Sequence, residues 1–181
     1  MSRKLDDYLK VVNKNIAEYH YFKANIFKHS LKWEGGGKLH KVSDDPGGWT
    51  IWGIAYDRNK EVFNDLVDFK DTTYDEAAAI AFVRYYMAIR ANEVPAPIRL
   101  FYFDTAYNMG PITAIKLLQK CAGVKPDGVF GPVTLSKVGG VTLECLYNER
   151  ASRYNWLVKQ NYKMVKFLKG WMNRINDLVK K

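Results

Sequence analysis

The sequence predicts a mainly α fold with one small β element. Helical apolar spacing runs through most of its 181 residues, start and stop signals bracket the periodic segments, and a single stretch, residues 33–54, breaks the period. Tyr19, Phe22, Ile26, Phe27 and Leu31 recur at three-to-four spacing, and the triple glycine at 35–37 must end that helix, leaving Glu34 at its C-terminus. From Lys38 to Ile54 come two short apolar pieces, "KLHKV" and "WTIWGI". The turn signal "SDDPGG" between them suits a pair of short strands.

Thr73 and Glu76 form a capping box ahead of "AAAIAFVRYYMAI", a core helix that "EVPAP" ends. "PIRLFYFDTAYNMG" reads as the next helix, closed by Gly110, with Pro111 starting another. "AIKLLQKCAGVKPDGVFGPVTLSKV" gives two short helices joined by a loop of glycine and proline. Leu143, Leu146, Tyr147, Arg150, Tyr154 and Leu157 mark a long final helix. Its continuation sets Lys159, Lys163 and Lys166 on one face, most simply a solvated one. A soft boundary falls near residues 108–112.

Composition bounds the function. A hydrophobic content of 48% suffices for one core and a small subdomain, and the longest apolar run, Ala77 to Val83, is too short to span a bilayer. The N-terminus "MSRKLDDYLKVVNKNI" has no apolar signal core. The formal charge of +9 implies attraction to polyanions: nucleic acid, an acidic membrane face or an anionic wall polymer. Cys121 and Cys145 lack metal-ligand or dithiol spacing and are expected to be two ordinary packed thiols. His20, His29 and His40 make no HExxH pair, and "EGGGK" lacks the spacing of a phosphate loop, so no metal or cofactor is expected.

The irregular segment "WEGGGKLHKVSDDPGGWTIWGI" could support acid–base chemistry. A glutamate serves as a general acid near neutral pH when desolvation or negative potential holds its proton. Glu34 has the negative end of a helix beneath it, and Trp33, Trp49 and Trp52 offer low-dielectric walls. Asp44 and Asp45 would be folded back toward it by the turn, and two carboxylates in unlike surroundings are what glycoside hydrolysis needs. Thr50 adds a hydroxyl near the water-activating acid, and the glycines leave room for a bulky polymer. The competing reading has solvated loop acids and core tryptophans.

"WEGG", "DPGG.T..GI" and "FDTAYNMGP", in that order, resemble the glycoside hydrolase family 108 N-acetylmuramidases, lysozyme-like enzymes that cut peptidoglycan. "LLQKCAGVKPDGVFGPVTL", with its "LQ" and "DG..GP.T", resembles the peptidoglycan-binding region that follows in that family, and "NERASRY" and "GWMNR" fit its ending. The likeness spans about residues 16–176. It implies a lysozyme-like helical fold with a small β-hairpin wing next to the active site. The division would be a catalytic region at 1–110, with an N-terminal extension at 1–15, and a helical wall-binding region at 111–181.

Carried over onto matching positions, the resemblance makes Glu34 the catalytic acid, Asp45 of "DPGG" the second acid and Thr50 the water-positioning hydroxyl. Trp49, Trp52, Tyr107, Asn108 and Asp127 are expected to bind substrate. Family members commonly have an aromatic after "EGG", where this chain has Gly37. The implied setting is a monomer made in the cytoplasm without a cleaved signal, released by a holin or a secretion system as in phage lysis, and acting on bacterial peptidoglycan in the periplasm. Stable membrane insertion and nucleic-acid binding are not expected. A lytic transglycosylase using Glu34 alone and a non-catalytic wall-binding module remain as alternatives.

Overall fold

The computed structural model describes residues 4–41 and 48–181, which divide into two compact units, Met1–Met87 and Ala88–Lys181. The first unit opens with α1 (Lys4–Lys14), α2 (Ile16–Phe22) and α3 (Lys28–Leu31), the last two joined by a π-helical turn over Lys23–Phe27. The extra residue in that turn shifts the helical phase, and Phe22, Ile26 and Phe27 are all buried along it. Phe22 and Phe27 stack at 5.6 Å, and Phe22 also meets Tyr86 at 4.9 Å.

Next comes a three-stranded antiparallel sheet in the order β1 (His40–Lys41), β2 (Trp49–Ile51) and β3 (Ile54–Ala55). The expected two-stranded wing thus gains a strand, because "WTIWGI" is a strand, a turn and a strand. Trp52 and Gly53 both have positive φ (54° and 79°), the signature of the two-residue type I′ hairpin, and Ile51 pairs Ile54 across it. Then follow α4 (Tyr56–Asn59), α5 (Leu66–Lys70) and α6 (Tyr74–Ala81), which continues as a second π-helical turn through Phe82–Met87. The capping box forms as read: the Thr73 hydroxyl accepts from the Glu76 amide, and the Glu76 carboxylate accepts from the Thr73 amide at 2.9 Å.

In the second unit, α7 (Ala96–Met109) is buried at every position from Phe101 through Tyr107, as befits a central helix. Against it pack α8 (Pro111–Cys121), α10 (Leu143–Gln160) and α11 (Val165–Leu178), with α9 (Pro132–Lys137) between α8 and α10 in sequence. Gly110, with φ of 89°, separates α7 from α8, and Pro111 begins the latter.

Two expectations need correction here. Cys121 and Cys145 are not packed thiols; they form a disulfide that ties the end of α8 to the start of α10. Spacing could not reveal it, because helix packing brings the two Cα atoms to 5.8 Å. Nor does the last helix run on through the lysines. Asn161, in extended conformation, ends α10, and its Oδ1 accepts from the Lys163 amide to start a tight turn that leads into α11. Lys159, Lys163 and Lys166 therefore fall on three different elements rather than one helical face.

Candidate active site

Glu34 stands where the helix through α3 ends. The amides of Trp33 and Glu34 donate to the carbonyls of Ser30 and Leu31 at 3.1 and 3.0 Å, closing the last turn. Gly35 and Gly36 then adopt left-handed φ of 72° and 67°, a reversal that side chains disfavour. The half-buried Glu34 is thus carried at the negative end of the helix.

The third glycine has a different reason. A β-carbon on Gly37 would lie 2.3 Å from Cζ2 of Trp52, so the indole occupies the space above residue 37. Trp52 is fixed there by its Nε1, which donates to the Thr72 carbonyl at 2.9 Å, and by an edge-on contact with Tyr74 at 5.6 Å. Trp49, on β2, lies beneath the ammonium groups of Lys41 and Lys70, 5.9 and 4.9 Å from its ring centre. Thr50 pairs with His40 on one side and Ala55 on the other, on the strand face opposite Trp49 and Ile51. Asp44 and Asp45 lie outside the described residues.

Three residues near this segment escaped the sequence reading. Asp57 abuts Gly48, the last glycine of "DPGG": a β-carbon there would be 2.3 Å from its Oδ2, and the same carboxylate pairs with Lys60 at 2.6 Å. Asn59 is fully buried, and its Nδ2 donates to the Ala55 carbonyl at 2.8 Å. Tyr85, in the π-helical turn, is held above the ordinary phenol range chiefly by burial. Asn59, Arg84 and Arg58 oppose that rise, and the negative charge of Glu34 adds to it. Glu34 thus has a phenol within electrostatic reach. The π-turn at 82–87, where such features often mark function, was the one signal available, and periodicity does not disclose it.

The second unit gives its motifs a structural meaning. Asp104 is wholly buried between Arg174, at 2.7 Å, and Arg150, at 2.8 Å. Burial pushes its carboxyl upward, but the two guanidinium charges and their hydrogen bonds outweigh that and hold it below its ordinary value of 3.8. Arg150 also donates to the Thr105 hydroxyl at 3.2 Å and to the Tyr154 hydroxyl at 3.0 Å, and Tyr154 donates onward to Asn108 Oδ1 at 2.9 Å. The network joins "FDTAYN" to "NERASRY" and "GWMNR". Tyr107, expected at a cleft, is buried and stacked on Phe103 at 5.4 Å.

The wall-binding signature is likewise a clasp. Gln119 Nε2 donates to Asp127 Oδ1, the Val129 carbonyl and the Thr134 hydroxyl at 2.8, 3.0 and 3.1 Å, and its Oε1 accepts from the Gly128 amide at 2.8 Å. Asp127 Oδ1 accepts from the Val129 amide as well, at 2.9 Å, and these bonds hold its carboxyl below the usual range. Among the described residues no group of His, Cys, Asp and Glu could hold a metal ion.

Comparison with known proteins decides the family. The glycosyl hydrolase 108 pattern matches residues 27–110, and that of a "Predicted Peptidoglycan domain" matches residues 113–176. Residues 27–110 are thus a glycosyl hydrolase 108 region, followed by that peptidoglycan domain. Among solved structures it is similar to that of Brucella abortus SagA, with 29% identity, a TM-score of 0.72, and coverage of 87% of this chain and 91% of that one. No curated protein matches. The two matched regions support a glycoside hydrolase that acts on peptidoglycan, in the cell wall. The mainly helical fold with a small antiparallel sheet agrees with the lysozyme-like expectation.

Proposed function

We propose that this glycosyl hydrolase 108 member is an N-acetylmuramidase, a lysozyme that hydrolyses the β-1,4 bond between N-acetylmuramic acid and N-acetylglucosamine. Glu34 is the general acid: it gives its proton to the glycosidic oxygen as the bond to the anomeric carbon breaks. Asp45 is the base that takes a proton from water as that water adds to the anomeric carbon, and Thr50 orients the water. Inversion follows if both acids act from opposite faces of the sugar.

The observation that carries this reading is the placement of Glu34. It is half-buried, at the negative end of a helix, ahead of two left-handed glycines and near an indole that covers Gly37. Negative potential and partial desolvation both favour a carboxyl that keeps its proton until the leaving oxygen needs it. The resemblance of "DPGG" supplies the second acid.

Mass spectrometry of digested peptidoglycan tests the reading. Muropeptides ending in reducing N-acetylmuramic acid are expected. Anhydro ends would make the enzyme a transglycosylase, with the sugar's own hydroxyl replacing water, and an undigested wall would leave only a binding module.

A further inference from the structure

Between Glu149 and Asp177 the chain has seven Lys or Arg residues and no acid. Two of these cations, Arg150 and Arg174, are buried on Asp104. The other five, Arg153, Lys159, Lys163, Lys166 and Lys169, belong to the hairpin made by α10, the turn at Asn161–Met164, and α11. The same tip exposes large apolar groups: Tyr162 is 78% exposed, Trp156 46% and Phe167 41%, all within two turns of Asn161. The hairpin beneath is rigid enough to present them, since Tyr154 stacks on Trp171 at 4.8 Å, Trp171 on Phe167 at 5.8 Å, and Tyr147 donates to Asn176 at 2.8 Å.

We infer that the tip of the α10–α11 hairpin is a docking surface for an anionic lipid membrane. Charge alone fits any polyanion, so the aromatics choose among partners. A hydrated anionic polymer attracts lysines and can lay a sugar face on a flat ring, but it gives a cluster of exposed Trp, Tyr and Phe side chains no apolar phase to enter. The interface of an acidic bilayer offers phosphates for the lysines and a headgroup boundary for the rings, where tryptophan and tyrosine are enriched. Cations also sit over these rings, Arg153 at 4.2 Å from Trp156 and Lys166 at 4.9 Å from Phe167, so that a phosphate bound at the cation lies beside the ring that enters the boundary. A second copy of this chain is disfavoured as occupant, because the surface would meet its own positive charge. No helix among the described residues is long and apolar enough to cross a membrane, so the contact is peripheral. It would keep a wall-cutting enzyme at the membrane that underlies or overlies its substrate, and it is independent of which glycan bond is cut.

Co-sedimentation of the full chain with vesicles of phosphatidylcholine, with and without phosphatidylglycerol, tests this without any wall present. Binding only to the phosphatidylglycerol vesicles is expected. Replacing Lys159, Lys163 and Lys166 by glutamine should weaken it by roughly fivefold per lysine at low salt. The pair Trp156→Ser and Phe167→Ser should weaken it by tenfold or more with every lysine in place. Circular dichroism and undiminished digestion of solubilised glycan strands show that each variant is folded. Aromatic variants that bind vesicles as well as the wild type would overturn the inference. So would wild-type protein that ignores both vesicles but sediments with purified peptidoglycan, or a dimer in solution that the aromatic variants abolish while vesicle binding is absent.

Discussion

The indole of Trp52 lies over Gly37, so close that a β-carbon at residue 37 would stand 2.3 Å from Cζ2. This contact joins the end of "EGGG" to the turn of the β hairpin, and with it the segment that carries Glu34 to the strand that carries Thr50.

Gly37→Ala should therefore displace Trp52 and break its hydrogen bond to Thr72, at a cost of about 1–3 kcal/mol in stability and a loss of lytic activity. In a Trp52→Ala background the same substitution should cost much less, because the clashing ring is gone. Denaturant unfolding of the four proteins in a double-mutant cycle measures the coupling. Additive effects would mean that the two residues do not share that space.

Asp104→Asn should destabilise the second unit by about 3–5 kcal/mol, since Arg150 and Arg174 would be left as buried charges without their carboxylate. Wild-type stability should depend on pH in the matching direction. The folded carboxyl lies below its ordinary value of 3.8, so the contribution is complete above that value and is lost as pH falls through the lower folded one. Acid titration of wild type against Asp104→Asn, followed by circular dichroism, reads this directly. The wild-type advantage should shrink only in that acid window.

The Cys121–Cys145 disulfide closes a loop of sequence separation 24, for which the chain-entropy account gives about 3.5 kcal/mol. Reduction, or Cys121→Ser with Cys145→Ser, should lower the unfolding free energy of the C-terminal half by that amount, and its midpoint with it, and leave the geometry around Glu34 unchanged. Thermal melts with and without reductant check it, and equal midpoints would show that the bridge adds nothing.

Much of the fold was legible because helices announce their ends. The Thr73 capping box and the Gly110–Pro111 junction are local chemistry, and local chemistry is written along the chain. What depended on distant partners was not legible. The π-turns at 23–27 and 82–87 shift the helical phase, and the 3.6 period, which already admits adjacent buried positions such as Ile26 and Phe27, does not disclose them. The disulfide and the Asp104 network need α8, α10 and α11 packed before their members meet.

The site divides in the same way. Glu34 could be placed at a helix end from "WEGGG" alone, and the structure puts it there. Tyr85 could not be associated with it, because 51 residues separate them in sequence. Of the residues assigned to substrate, Asn108 and Asp127 accept hydrogen bonds inside buried or turn networks. These family signatures take part in how that unit holds together, and a short motif does not distinguish this from contact with a ligand.

Asp45→Ala should cost far more activity than Asp44→Ala, because the proposed mechanism assigns water activation to the acid of "DPGG". Turnover of both variants on purified walls, compared at equal thermal stability, decides it. Equal losses or the reverse order would move the second acid to Asp44.

The most direct test of the account is the turnover of Glu34→Gln on purified peptidoglycan, with the folded state verified by an unchanged melting curve. The substitution keeps shape and removes the transferable proton. A fall of about 10² to 10⁴ in rate is predicted, with wall binding retained. A well-folded Glu34→Gln protein that still releases muropeptides at the wild-type rate would contradict the account.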